Sequence, residues 1–150
     1  MENTGIELLD QLIKLDVDAA RAYESAINAL DGDAQAQRKL REFKGDHERH
    51  VRDLSDHITS LGGTPTSARP DLKGFFLQGF TAIRGALGPE QALKAMRMNE
   101  ELTNRTYAAA LGNPGLPPVS RDLVQRNFDD EKRHLKWINE WIMQRATVPA

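Results

Sequence analysis

The chain has 150 residues, a formal net charge of −2 and no cysteine. Its length suits one domain with a substantial core, and its near-neutral charge argues against a nucleic-acid-binding or anionic-membrane surface. The lack of cysteine excludes disulfides, thiolate zinc sites and iron–sulfur clusters, and it fits a reducing compartment. The acidic N-terminus does not resemble a signal peptide, and no apolar run is long enough to span a membrane. We therefore expect a single domain over residues 1–150, soluble and cytoplasmic, with no nucleic-acid or membrane partner.

Helical periodicity dominates the sequence, and the alternation typical of strands is nearly absent. Four helices are predicted, over about residues 4–30, 33–61, 89–111 and 118–144. The first is expected to begin at Thr4, where Glu7 stands three residues later as in a capping box. Gly62 and Gly63 supply a stop after the second helix, and Pro89 takes a first-turn place in the third.

The connection over residues 62–88 is long, whereas the other two connections are short. Short connections favour antiparallel hairpins, and a long one lets the next helix restart at the same end. The stretch 71–88 has the amphipathic pattern of a short crossover helix, weakened by three glycines. Its Phe75, Phe76 and Phe80 predict a lid over the core or a homodimer surface, with the lid favoured. The prediction is an all-α four-helix bundle with hairpin 1 over about 4–61, the crossover over 62–88 and hairpin 2 over about 89–145.

A pattern of polar and aromatic residues occurs twice at one offset. The stretches DHERHV (46–51) and DDEKRHL (129–135) each contain an aspartate followed four residues later by a histidine. An offset of 84 residues relates Asp46 to Asp130, His50 to His134, Asp16 to Glu100, Tyr23 to Tyr107 and Arg49 to Arg133. Several matches at one offset indicate a duplicated helix hairpin.

The repeated polar residues fall on the apolar faces of the predicted helices. Asp16 and Glu100 lie within apolar stripes, whereas Asp18 is predicted on the opposite side of the first helix. Both halves of each hairpin place these residues about equally far from the turn, so they come level at mid-bundle. Buried charges are costly unless they are paired or bind a metal. Oxygen and imidazole ligands suit iron, manganese or zinc, and the alternative is ion pairing of the carboxylates with arginines of their own helices.

One carboxylate on each of two helices, plus Glu-x-x-His on each of the other two, is the di-iron pattern of ferritin-like bundles. The sequence resembles the ferritin-like superfamily over essentially the whole chain, in the duplicated-hairpin style of bacterioferritin and rubrerythrin. The resemblance implies the following roles: Asp16 and Glu100 as terminal metal ligands, Glu131 as a bridging ligand, His50 and His134 as nitrogen ligands, and Tyr23 and Tyr107 as hydrogen-bond donors near the site.

Two positions depart from that pattern. Asp16 replaces the usual glutamate, and His47 replaces the second bridging glutamate. Three carboxylates rather than four then face the metals, unless Asp46 turns inward. His47 is either a metal ligand or a buried histidine satisfied by hydrogen bonds. Asp46 and Asp130 are the candidates to accept the second ring N–H of the metal-bound histidines, including across to the other hairpin.

The leading functional hypothesis is a metal-binding protein in which up to two iron ions react with dioxygen or peroxide. Such a protein would act as a ferroxidase or peroxidase-like oxidoreductase in stress defence or iron homeostasis. No haem is expected, because no methionine of the second helix stands where the bacterioferritin type would bind it. Two alternatives stay open: a non-catalytic bundle that binds a protein partner, and a zinc- or manganese-binding module without turnover.

Overall fold

The computed structural model of the protein describes residues 2–66, 82–83 and 85–146. These residues form four long helices and no strand: α1 (Glu2–Ala29), α2 (Ala34–Ser60), α3 (Pro89–Leu111) and α4 (Arg121–Ala146), with a 3-10 turn at Pro118–Ser120. The prediction of an all-α four-helix bundle is thereby confirmed. Within the described ranges, no helix has the length and apolar character needed to cross a membrane.

The ends of α2 follow from local backbone chemistry. Asp33 caps its N-terminus, where the carboxylate accepts a hydrogen bond from the N–H of Ala36 at 3.0 Å. Past the C-terminus, Gly62 has φ 84°, a left-handed conformation that favours glycine. The N–H of Gly63 then donates to the carbonyl of Ile58 at 3.0 Å and closes the last turn.

Two predicted helix starts are wrong by a few residues. The first helix begins by Glu2, so Thr4 lies inside its first turn and is not the cap. The last helix begins at Arg121, because the residues expected to open it form a separate 3-10 turn.

The four helices pack as two antiparallel hairpins, α1 with α2 and α3 with α4, and α1 also packs on α3. The start of α3, at Leu93, lies in one apolar cluster with Leu30 from the turn of the first hairpin. At the other end of the bundle, His57 of α2 is hydrogen-bonded to Ser120 before α4 at 2.7 Å. Helices α2 and α3 therefore run in the same direction, as the long connection between them predicts.

Two clusters of buried apolar side chains fill the bundle toward its two ends. One includes Leu30, Leu40, Leu93 and Trp141, and the other includes Leu9, Leu12, Ile58 and Val124. Along each helix, a group of buried polar residues lies between these clusters. The apolar packing thus fixes the level at which the polar side chains meet.

Two further predictions concern Asp18 and the crossover. Asp18 is buried, with 1% of its surface exposed, although it was expected on the outer side of α1. Because α1 packs on both α2 and α3, more than one of its faces is covered. All three phenylalanines of the predicted crossover, and most of its other residues, lie outside the described residues. Ile83 is described, and it packs in the cluster with Leu30.

Candidate metal centre

Six side chains of the kinds that bind metals meet at mid-bundle, and each is at most 1% exposed. They are Asp16 of α1, His47 and His50 of α2, Glu100 of α3, and Glu131 and His134 of α4. The i, i+3 spacing on α2 and again on α4 turns both residues of each pair to the same face. The six residues predicted from the sequence therefore lie together, and their binding of a metal is a proposal taken up below.

The six residues form two groups, in each of which four potential ligand atoms all lie within 4.8 Å of one another. The first group is Asp16, His47, His50 and Glu131, and the second is His47, Glu100, Glu131 and His134. His47 and Glu131 belong to both groups. These two residues stand at equivalent positions of the 84-residue repeat.

In the first group, one carboxylate oxygen lies between two imidazoles. Nδ1 of His47 is 2.7 Å from Oδ1 of Asp16, and Nδ1 of His50 is 3.0 Å from the same oxygen. Oε1 of Glu131 is 3.4 Å from Nδ1 of His47 and 3.3 Å from Nδ1 of His50. Two nitrogens and two carboxylate oxygens thus surround one point.

The second group has the same composition but uses the other atoms of the shared residues. Nε2 of His47 is 3.3 Å from Oε1 of Glu100. Nδ1 of His134 is 3.5 Å from that oxygen and 3.6 Å from Oε2 of Glu131. The two ring nitrogens of His47 therefore face different groups, as do the two oxygens of Glu131.

Glu131 is the least satisfied residue of the site. Both of its buried carboxylate oxygens, and Nδ1 of His134, make no hydrogen bond within the described part of the chain. The imidazole nitrogens near Oε1 are close, at 3.3 and 3.4 Å, but lack hydrogen-bond geometry. A buried carboxylate that lacks hydrogen bonds is unfavourable even beside charged imidazoles, and a metal cation bound to its oxygens would stabilise it. The donor set fits two metal ions on this ground.

Two tyrosines reach across from one hairpin to the carboxylates of the other. Tyr23 donates a hydrogen bond to Glu100, and Tyr107 donates to Oδ2 of Asp16 at 2.5 Å. Thr103 also donates to Oε2 of Glu100, at 2.7 Å. Burial and the adjacent carboxylate charges raise the pKa of both tyrosine hydroxyls well above the usual value, so both keep their protons and donate.

The outward nitrogens of two histidines contact aspartates of the opposite hairpin. Nε2 of His50 is 2.9 Å from Oδ2 of Asp130, and Nε2 of His134 is 2.8 Å from Oδ2 of Asp46. Asp46 therefore points to His134 and does not turn inward. In such a pair the carboxylate fixes which ring nitrogen carries the proton and leaves the other free for a metal.

Arg49 and Arg133 close this network at the surface, each with 44% of its side chain exposed. Arg49 donates to Asp130, and Arg133 donates to Asp46 at 2.5 Å. The sequence repeat relates the two arginines but does not by itself indicate their role. In the structure each arginine donates to the aspartate that contacts the histidine next to it in sequence: Arg49 and His50 share Asp130, and Arg133 and His134 share Asp46.

Without a metal, the site favours charged side chains of both signs. Burial lowers the pKa of each histidine, but the surrounding carboxylates raise it more, to about 9 for His47, about 12 for His50 and about 11 for His134. Burial raises the pKa of Asp16 and Glu100, but the neighbouring histidines hold both below the usual value. Protons on the imidazoles thus balance the carboxylates in the metal-free protein.

The alternative of buried arginine–carboxylate pairs is wrong for the described residues. Asp16 and Glu100 take their hydrogen bonds from imidazole, phenol and hydroxyl groups. Arg21 and Arg97 form exposed pairs with glutamates of their own helices. The fourth histidine, His57, belongs to neither group and is hydrogen-bonded to Ser120.

Two side chains that the sequence patterns did not indicate flank the site unequally. Phe43 and Asn127 stand 84 residues apart, at equivalent positions of the repeat. The ring of Phe43 lies 4.3 Å from that of His134, centroid to centroid. Asn127 instead donates to the hydroxyl of Tyr107 at 3.4 Å and lines a surface groove of about 330 Å³. The first group thus lies toward a polar groove and the second behind an aromatic ring.

Comparison with solved structures identifies the fold. The chain superposes with a TM-score of 0.81 on a dodecameric thioferritin, the bacterioferritin-related protein of Bacteroides fragilis, with 18% identity over 97% of this chain and 88% of that one. It superposes with a TM-score of 0.71 on a ferritin-like, diiron-carboxylate protein of Bacillus anthracis strain Ames, with 19% identity over 94% and 96% of the two chains. The predicted ferritin-like fold is thereby confirmed.

Comparison of the sequence itself gives a family without an assigned activity. No curated protein matches the chain. Residues 4–113 match the family described as a domain of unknown function, DUF2383. That match covers α1, α2 and α3 and thus most of the bundle. The chain is therefore a member of the DUF2383 family with a ferritin-like fold.

Proposed function

We propose that this protein binds metal between its helices and that iron bound there reacts with dioxygen or peroxide. The observation that carries the proposal is the position of Glu131, a buried carboxylate without a hydrogen bond among the described residues, between two groups of ligand-type atoms. Carboxylate oxygen with imidazole nitrogen is a donor set that iron, manganese and zinc accept. Two of the solved structures with this fold are described as a thioferritin and a diiron-carboxylate protein.

The residues proposed to hold the ions are Asp16 and His50 at the first group, Glu100 and His134 at the second, and His47 and Glu131 at both. Iron bound there supplies electrons to the oxidant as it passes from the ferrous to the ferric state. The surrounding side chains exclude water and hold the ligand carboxylates by hydrogen bonds. The apolar clusters on either side keep water from the site. Tyr23 and Tyr107 keep their protons and donate hydrogen bonds to Glu100 and Asp16, respectively.

The outer aspartates orient the imidazoles toward the ions. Asp130 and Asp46 accept the Nε2 hydrogens of His50 and His134, so that Nδ1 of each ring is the nitrogen left to face a metal. Such partners raise the basicity of a histidine ligand and fix its orientation. The arginines on these aspartates hold the network in place from the surface.

A zinc- or manganese-binding module without turnover is the second candidate, and the nitrogen content of the site favours zinc within it. With His47 at a position where the resemblance leads one to expect glutamate, each group holds two nitrogens and two oxygens. Four-coordinate sites of this mixed kind suit zinc. A metal-free interaction protein is the weaker alternative, because it leaves the oxygens of Glu131 without a hydrogen bond among the described residues, with ion pairs to imidazoles alone.

The test combines metal analysis with iron oxidation. The purified protein is examined by elemental analysis, loaded anaerobically with ferrous iron, and exposed to dioxygen or peroxide while ferric absorbance is followed. We expect about two irons per chain, as in di-iron bundles, and rapid oxidation. The Glu131→Ala/His134→Ala variant is expected to lose both, while His57→Ala, which removes a histidine outside the site, should keep both.

Each other outcome of this test has a definite meaning. Binding of iron without oxidation contradicts the redox proposal and leaves the zinc or manganese module. No specific binding of any metal contradicts both and directs the search to surfaces and partners. Helical circular dichroism of the variants, with Glu131→Gln as a conservative substitute, separates loss of binding from loss of fold.

Self-association is proposed as well, with a homodimer as the smallest assembly. The support for this proposal is that the similar thioferritin of Bacteroides fragilis is a dodecamer. Light scattering of the purified protein is the measurement. A mass near the 16.8 kDa of one chain would contradict the proposal.

A further inference from the structure

We infer that His47 bridges two metal ions, with Nδ1 bound to the ion of the first group and Nε2 bound to the ion of the second. This inference rests on the proposed metal binding and goes beyond it. It assigns to one histidine the role that a second carboxylate would otherwise fill opposite Glu131. The pair of ions would then be linked by one imidazolate and one carboxylate.

The position of the ring carries the inference. Nδ1 of His47 is 2.7 Å from Asp16, a member of the first group alone, and Nε2 is 3.3 Å from Glu100, a member of the second alone. The side chain has no exposed surface, so neither nitrogen can turn to solvent. A histidine that bound one ion only would instead keep a proton on its other nitrogen and donate it to the carboxylate of the other group, which is the arrangement that the experiment below distinguishes.

The other two histidines of the site cannot take this role. Nε2 of His50 is committed to Asp130, and Nε2 of His134 is committed to Asp46, at 2.9 and 2.8 Å. Each of these rings therefore offers one nitrogen to one group. Of the residues described, His47 is the histidine that belongs to both groups.

Most spacings between the ligand atoms suit four-coordinate ions on both sides of the ring. Oδ1 of Asp16 is at hydrogen-bond distance, 2.7 Å from Nδ1 of His47 and 3.0 Å from Nδ1 of His50, and would move outward to share an ion with them. Ligand atoms about 2.0 Å from a tetrahedral zinc ion stand ~3.3 Å from one another. Oε1 of Glu131 lies 3.4 Å from Nδ1 of His47 and 3.3 Å from Nδ1 of His50. Around Nε2 of His47, the nearest oxygen of Glu100 is 3.3 Å away.

Charge balance also favours a bridge. As each metal–nitrogen bond forms, an N–H bond of the ring breaks and its proton passes to the solvent buffer, with no change of oxidation state. The bridging imidazolate carries one negative charge, as a carboxylate does. Together with Asp16, Glu100 and Glu131 it supplies the four negative charges that two divalent cations require.

The experiment is nitrogen NMR of the zinc-loaded protein, because zinc is diamagnetic and redox-inert. The chain has four histidines, which are labelled with nitrogen-15 and followed through long-range correlations of the ring nitrogens. We expect one ring with both nitrogens bound to metal and no ring N–H. Two rings should show one bound nitrogen and one N–H, and His57 should show no bound nitrogen.

Three variants assign the signals and control the experiment. His47→Gln should remove the doubly bound pattern and halve the zinc content, from two ions per chain to one. His47→Glu restores a carboxylate and should keep two zinc ions while losing the doubly bound ring. His57→Gln should change neither the zinc content nor the other three rings, and circular dichroism reports whether each variant folds.

The results that overturn the inference differ from those that overturn metal binding. A ring N–H that persists on His47 at full zinc occupancy would show that it is no bridge, although the protein binds metal. One zinc ion per chain in the unmodified protein would do the same. No bound zinc in any of the proteins would overturn the bridge and count against the proposed function as well.

Discussion

Tyr107 of α3 donates a hydrogen bond to Oδ2 of Asp16 on α1 at 2.5 Å, and Tyr23 of α1 returns the contact by donating to Glu100 on α3. The exchange follows the 84-residue repeat, since each tyrosine binds the carboxylate of the other hairpin. The same crossing links each outward histidine nitrogen to an aspartate of the opposite hairpin. Each half of the duplicated sequence thus holds the candidate ligands of the other half.

Tyr107→Phe removes one of these donors and keeps the shape of the ring. We expect the free energy of unfolding of the metal-free protein to fall by about 1.5–3 kcal/mol, because a buried carboxylate loses a hydrogen bond. Tyr23→Phe should cost less, since Oε1 of Glu100 keeps a contact with His47 at 3.3 Å. Urea unfolding of both variants measures the difference. Equal losses, or a larger loss for Tyr23→Phe, would contradict this ranking.

Asp130→Asn tests the outer partner of His50. The neutral amide oxygen accepts the ring hydrogen more weakly than a carboxylate does, so we expect metal affinity to fall about 10–100-fold. Asp129→Asn is the matched control, because it removes the same charge from the adjacent, exposed residue paired with Lys132. Competition titrations with a zinc chelator give both affinities. A similar loss in the control would assign the effect to net charge and contradict a specific role for Asp130.

The metal-free protein should be most stable in mildly acidic solution. His50 has a pKa of about 12 in the folded protein against 6.5 without its partners, and the pKa values of His134 and His47 are raised likewise. Their stabilisation is complete below about pH 6.5 and is lost as the pH rises through the folded pKa values. The pKa of Asp130 is lowered from 3.8 to about 2, so its contribution is present above pH 3.8 and is lost as the pH falls toward 2.

Thermal unfolding of chelator-treated protein across this pH range checks the prediction. The melting temperature is expected to fall on both sides of the interval between about pH 4 and 6.5. His50→Gln should flatten the decline on the alkaline side, because it removes the most strongly shifted histidine. A melting temperature that rises from pH 6.5 to 9 would show that the buried histidines are not protonated in the folded protein.

Two glycine substitutions should change stability in opposite directions. A Cβ on Gly5 would stand 2.7 and 2.9 Å from ring carbons of Pro117 in the loop before α4. Gly5→Ala is therefore expected to destabilise the protein by about 1–3 kcal/mol through overpacking. A Cβ on Gly45, within α2, would meet nothing within 4 Å, so Gly45→Ala should stabilise it by about 0.5–1 kcal/mol. Urea unfolding measures both, and a stabilising Gly5→Ala would show that the loop yields readily.

The sequence by itself determined the four helices and the faces that carry the polar residues, because both depend on short-range chemistry. The 3.6-residue period places Asp16, Glu100 and the two histidine boxes on inward faces whatever the partner helix is. The break after Leu30 and the glycines after α2 end their helices through the backbone of the adjacent residues alone. The exceptions are two helix starts: the capping pattern at Thr4 is present although α1 begins earlier, and residues 118–120 form a 3-10 turn before α4.

Only the tertiary structure decided which atoms meet, because distances between helices depend on how all four of them rotate and pack. The sequence places His47 inside the bundle, but its two nitrogens face different carboxylates through the positions of α1 and α3. Asp18 is buried because α1 packs against two helices at once. The partner of Asp46 is likewise decided by the distance between α2 and α4, a property that no single helix carries.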